Sequence, residues 1–131
     1  MSQNVALGRV NPAEIVVFGV SGGGTLAAAI CLMARDKKSL AIPIKAQMLY
    51  TPMLDDRGEC LSDQQVGYGS PWCGVANLMV WDCILGELRG TGKVTPYQAP
   101  SRATDLSNLP PTYSRQHMLM SANVSCIGIL Q

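Results

Sequence analysis

Four apolar residues, Ile15-Val16-Val17-Phe18, run without a break into Gly19-Val20-Ser21-Gly22-Gly23-Gly24 and then into Leu26-Ala27-Ala28-Ala29-Ile30. This junction constrains the fold more than any other feature. An apolar, mostly β-branched run without period-two alternation suits a strand buried on both faces, the habit of parallel sheets covered by helices. Asn11-Pro12-Ala13-Glu14 ahead of it has turn chemistry, since Pro12 fixes its own φ and disfavours a helical Asn11. After the glycines, Thr25 to Arg35 is built from good helix formers and ends in Arg35, Lys37 and Lys38, cations suited to a helix C-terminus. Pro43 forbids a continuing helix, and Ile44 to Tyr50 reads as a second strand closed by Thr51-Pro52. Strand, tight turn, helix and strand make a right-handed βαβ unit, so the expected class is α/β with a parallel sheet and flanking helices.

From Met53 to Pro100 the chain is rich in glycine and proline and carries one helical stretch, near Val75 to Leu85. Tyr68, Trp72 and Trp81 give this excursion large apolar groups, either to anchor it to the core or to cover a pocket. Leu109-Pro110-Pro111-Thr112-Tyr113 reads as the approach to a third strand. A chain of 131 residues with 47% hydrophobic and 15% charged residues supports one core and is not the composition of a disordered segment. A net charge of +1 gives no field for gathering phosphates, which argues against nucleic acid or an anionic membrane as partner. The longest apolar stretch, Leu26 to Ala34, falls short of the roughly 18 to 20 residues of a membrane span. With no export signal at the N-terminus either, a cytoplasmic location is expected. The cysteines at 31, 60, 73, 83 and 126 form no C-x-x-C pair and are expected to be reduced, mostly packed thiols. No metal or other cofactor is expected.

The G-x-S-x-G run has a chemical reading. A serine hydroxyl is a weak nucleophile unless a sharp turn presents it to a base and to backbone N–H groups that meet a developing oxyanion. Ser21 is the candidate catalytic residue, and Gly22 would supply the oxyanion-binding N–H. Gly19 and Gly23 stand where a Cβ is expected to collide with the adjoining strand and helix, while Gly24 loosens the helix start. Two other readings use the same residues: a glycine-rich loop without chemistry, and a nucleotide-binding βαβ module with Gly22 to Gly24 cradling an anion at the helix N-terminus. The second lacks both the G-K-[ST] ending and the G-x-G-x-x-G order.

The stretch from Asn11 to Ala28 resembles the nucleophile region of α/β-hydrolases of the hormone-sensitive-lipase-like esterase group, which reads D-P-x-R-I, apolar residues, G-D-S-A-G-G and N/T-L-A. Gln47 to Asp55 is similar to that group's strand and Y-P-x-L-D loop, and Leu109 to Tyr113 to its L-P-P-T-Y strand entry, so that roughly residues 5 to 113 are covered. The resemblance implies a partial α/β-hydrolase domain over residues 1–113, lacking N-terminal and C-terminal strands, followed by a divergent tail over 114–131. It implies a carboxylic ester hydrolase in which Ser21 forms an acyl-enzyme on a small-molecule ester. Val20 replaces a common acidic residue, and Gly22 a common alanine. No residues here match the H-G-G-G oxyanion motif of an earlier strand-loop. The group orders its triad serine, acid, histidine, yet no carboxylate occurs from Ser114 to Gln131. His117, the one histidine, precedes the acid's place, and Asn123 falls near it. Asp55, Asp56 and Asp105 read as turn residues. The expectation is a truncated chain, weakly active or inactive, with a non-catalytic remnant or binding module as the alternative. Nothing in the sequence sets the oligomeric state.

Overall fold

In a computed structural model, which describes residues 11, 14–38, 43–60, 63, 65, 68–70 and 72–115, the apolar run forms β1 (Ile15–Val20) and the glycines open α1 (Gly22–Lys37). β2 (Ile44–Tyr50), α2 (Gly74–Leu85) and β3 (Thr112–Arg115) follow. The strands stand in the order β1-β2-β3 and both pairings are parallel. Val17 lies opposite Gln47 and Gly19 opposite Leu49, while Gln47 to Tyr50 match Thr112 to Arg115. The described residues therefore show three parallel strands with flanking helices, as the sequence leads one to expect.

Alternation along the strands decides what α1 covers. Val17, Gln47 and Leu49 point to the helix, and Ala27, Ala28, Leu49, Leu54 and Cys60 form a buried cluster there with Val17 packed against it. Gln47 is buried and donates from Nε2 to Thr112 Oγ1 at 2.8 Å, so a polar group inside the sheet ties β2 to β3. The opposite face behaves differently. Val16, Phe18, Val20, Met48 and Tyr113 lie there, with Phe18 60% and Tyr113 54% exposed. Burial of β1 on both faces, expected from its unbroken apolar run, therefore does not hold among the described residues, because α1 packs on one side only.

The excursion after β2 has a second cluster, in which Met53, Trp81, Leu85, Val94 and Ala99 are buried and Trp72 and Val80 pack alongside. Trp81 and Trp72 are thus anchors, whereas Tyr68 is 83% exposed. At the far end of α1, which closes on Lys38 in the left-handed region, Arg35 Nη1 donates to the carbonyls of Asp105 at 2.8 Å and Ser107 at 3.1 Å. That fixes the approach to β3. The strand itself runs on through Ser114 and Arg115. Cys31 and Cys60 are buried, Cys73 is half-buried and Cys83 exposed, with no disulfide among them. No helix among the described residues is long and apolar enough to cross a membrane.

Candidate active site

β1 delivers its last residue, Val20, to Ser21, and α1 starts at the next residue. Ser21 makes that turn at φ 52 and ψ −123. A side chain at positive φ is strained by about 1 to 3 kcal/mol and persists only where its surroundings hold it. Four backbone hydrogen bonds hold it there. Ser21 N–H donates to Tyr50 C=O at 2.9 Å, and Ser21 C=O accepts from Gly24 N–H at 2.9 Å, Thr25 N–H at 3.2 Å and Met53 N–H at 3.4 Å. The buried Thr25 hydroxyl donates to Met53 C=O.

Serine is a favoured helix N-cap because its oxygen accepts from a first-turn N–H. Ser21 occupies that position and makes no such bond. Its half-buried hydroxyl is thus not used by the helix it introduces. The amides of Gly22 and Gly23 precede any carbonyl that α1 can offer them, and they sit at its positive end. A hydroxyl on a strained turn beside two such amides can present a nucleophile and receive negative charge.

The glycines divide by what surrounds them. A Cβ on Gly19 would stand 2.0 Å from Gly23 O, so strand and helix touch backbone to backbone there. The collision expected at Gly23 is not found: among the described residues nothing lies within 4 Å of a Cβ at that position. The crowded neighbour is Gly24, where a Cβ would come 2.8 Å from Pro52 Cβ. Gly24 thus admits the loop after β2 rather than loosening the helix. Gly22 is likewise open.

Asp55 and Asp105 do serve turns. Asp55 Oδ1 accepts from Arg57 N–H at 3.1 Å, and Asp105 Oδ1 from Ser107 N–H at 2.8 Å. Burial pushes the Asp55 carboxyl up, but the hydrogen bonds and charge of Arg57 outweigh it and hold the group below the ordinary range. Asp56 is not a turn residue. It is fully buried, it accepts from Arg102 Nε and Nη2 at 2.8 Å each, and its Oδ2 accepts from Gly90 N–H at 2.8 Å. Burial raises its pKa, and the Arg102 guanidinium with the Gly90 amide more than reverse that, leaving it below the usual carboxylate range. The ion pair fastens the loop after β2 to the segment before β3. None of these carboxylates bonds Ser21. His117 and Asn123 lie outside the described residues. No group of three or more candidate metal ligands occurs among the described residues.

Sequence reasoning missed Thr25 and the loop Thr51–Leu54 as parts of this site. One signal was present, a polar residue on the buried face of an otherwise apolar helix. Its partner, 28 positions away, is a backbone carbonyl that no pattern marks.

The profile of a family described as alpha/beta hydrolase fold matches residues 1–115. Among solved structures, a bacterial heroin esterase is 38% identical, with a TM-score of 0.76 over 85% of this chain and 35% of that one. The esterase LipW from Mycobacterium marinum is 30% identical, with a TM-score of 0.66 over 76% of this chain and 29% of its own. A thermostable esterase from Pseudomonas putida ECU1011 is 25% identical, with a TM-score of 0.72 over 89% and 36%. The chain thus spans about a third of the length of these proteins. No curated protein matches it.

Proposed function

The chain belongs to the alpha/beta hydrolase fold family, and on that premise we propose that it carries the nucleophile of a serine carboxylic ester hydrolase acting on small-molecule esters. The observation that supports this most directly is Ser21 itself, held at φ 52 between strand and helix without capping the helix. Its Oγ attacks the ester carbonyl carbon, the proton leaves to a base, and the Gly22 N–H meets the oxygen that becomes negative. The alcohol departs and an acyl-Ser21 ester remains for water to cleave. The esterases that match over about a third of their length make an ester the substrate class of choice.

The described residues contain no histidine, and Asp55, Asp56 and Asp105 are engaged elsewhere. In serine hydrolases whose triads have been dissected, removing the histidine costs about 10⁶-fold in kcat, while oxyanion binding and substrate positioning retain about 10³- to 10⁴-fold over water. With no base bonded to Ser21 among the described residues, slow ester turnover is expected. The test is prolonged incubation with a fluorophosphonate probe, followed by peptide mass spectrometry. Slow covalent labelling of Ser21 that vanishes in Ser21→Ala supports the proposal. Labelling spread evenly over several serines, or none in a folded chain, contradicts it.

A further inference from the structure

Ser21 and the loop that leaves β2 are closed into a ring by contacts that no turn motif requires. Met53 N–H donates to Ser21 C=O at 3.4 Å, and Met53 C=O in turn accepts the Thr25 hydroxyl. Between them Thr51 turns the loop at φ 43, and Pro52 packs where Gly24 has no side chain. The Met53 N–H bond to Ser21 is long, and so restrains little unless something else holds Met53 against the elbow. Among the described residues the side-chain hydroxyl that does so belongs to Thr25, 9% exposed on the first turn of α1. Further along, Leu54 C=O accepts from Ser101 N–H at 3.0 Å, so the loop is also held from its other side.

We propose that Thr25 is a positioning residue for Ser21: its hydroxyl holds the Met53 carbonyl, and through it the whole loop, against the nucleophile turn, keeping Ser21 at positive φ with its oxygen presented. The proposal rests on the reading of Ser21 as nucleophile for its kinetic consequence, but not for its structural one. Thr25 bonds the loop rather than any atom of the Ser21 side chain, so its loss changes the geometry of attack and not the binding of an acyl group.

Thr25→Val keeps the shape and removes the hydroxyl, whereas Thr25→Ser restores the hydroxyl without the methyl. In the full chain, a fluorophosphonate titration separates the maximal rate of Ser21 labelling from the probe concentration that half-saturates it. Thr25→Val is expected to lower the maximal rate by about 10- to 100-fold, the scale of a small misplacement of a reacting group, and to leave the half-saturating concentration within about twofold. Thr25→Ser should recover the rate to within about threefold of the native chain. Equal rates in native chain and Thr25→Val overturn the proposal, as does an equal loss in both variants, which would assign the effect to packing.

Amide hydrogen exchange supplies the structural readout. Thr25→Val should speed exchange at Met53 by about tenfold or more while Ala27 to Leu32 keep native protection, and Thr25→Ser should return Met53 to native protection. Unchanged exchange at Met53 overturns the proposal. If native Ser21 takes no label, the ester-hydrolase reading fails and hydrogen exchange alone decides the role of Thr25. Should Thr25→Val not fold, Thr25→Cys, a weak donor of similar size, takes its place with the same expected order.

Discussion

Ser21 is the one residue of the turn between β1 and α1 with a strained backbone, and its neighbours are unequal in what they contribute. Gly19 must be glycine because its missing Cβ is the space taken by Gly23 O at 2.0 Å. Gly19→Ala is expected to lower stability by at least about 1 to 3 kcal/mol, since backbone cannot step aside as a side chain would. Gly23 has no positive φ and no close neighbour among the described residues, so Gly23→Ala should be neutral or stabilising by up to about 1 kcal/mol. Urea midpoints of the two variants check the contrast. The spacing G-x-S-x-G pointed to both glycines alike, because a motif records which residue types recur and not which of them is crowded. The strand-to-helix turn at Ser21 was legible from its flanks. Thr25 and Asp56 were not, since their partners are set by the way distant loops meet.

At the scale of elements, β1, α1, β2 and α2 were legible because apolar runs, helix formers and prolines each act locally. Their ends were less so. β1 runs two residues beyond Phe18, and α1 starts at Gly22, within glycines that are poor helix formers. Ser21 C=O accepting from Gly24 and Thr25 N–H sets that start, and propensity does not. The buried side of α1 also carries Cys31, whose thiol burial pushes up to about 11. At pH 8 only about one thiol in a thousand is then ionised, and the thiolate is the reactive form. An aromatic disulfide reagent should therefore modify the exposed Cys83 quickly, and Cys31 only as fast as the chain unfolds. Rapid modification of Cys31 under native conditions would mean that α1 does not stay packed on the sheet.

Across the described residues, the sheet is covered by α1 on one side and exposed on the other. The open side places Val16, Phe18, Val20, Met48 and Tyr113 together, an apolar patch of the kind that binds hydrophobic dyes. The chain should enhance ANS fluorescence at neutral pH, and Phe18→Thr with Met48→Thr, which keep strand propensity, should reduce the signal without moving the unfolding midpoint by much. The Asp56–Arg102 pair ties the start of the excursion to the segment that follows it, and its pH dependence has a definite sign. The folded carboxyl lies below its ordinary value, so its stabilisation is complete above the unfolded pKa of about 4 and is lost as pH falls from there through the folded value. Asp56→Ala leaves Arg102 without its partner and should cost about 3 to 5 kcal/mol at pH 7. Urea midpoints of the native chain from pH 7 down to pH 3 should fall below about pH 4, with a shallower fall in the variant. Neither the open face nor this pair could be read from the sequence, because both are properties of how the layers close.

Gly90 N–H donating to the same buried carboxylate brings positions 56 and 90 together, so the stretch between them is closed at its base. Tyr68, 83% exposed, and Gly69, exposed at φ 87, lie at the surface within that stretch. A short foreign peptide inserted at Gly69 is therefore expected to leave the urea midpoint nearly unchanged, because the added length is carried at the surface while the base of the stretch stays held.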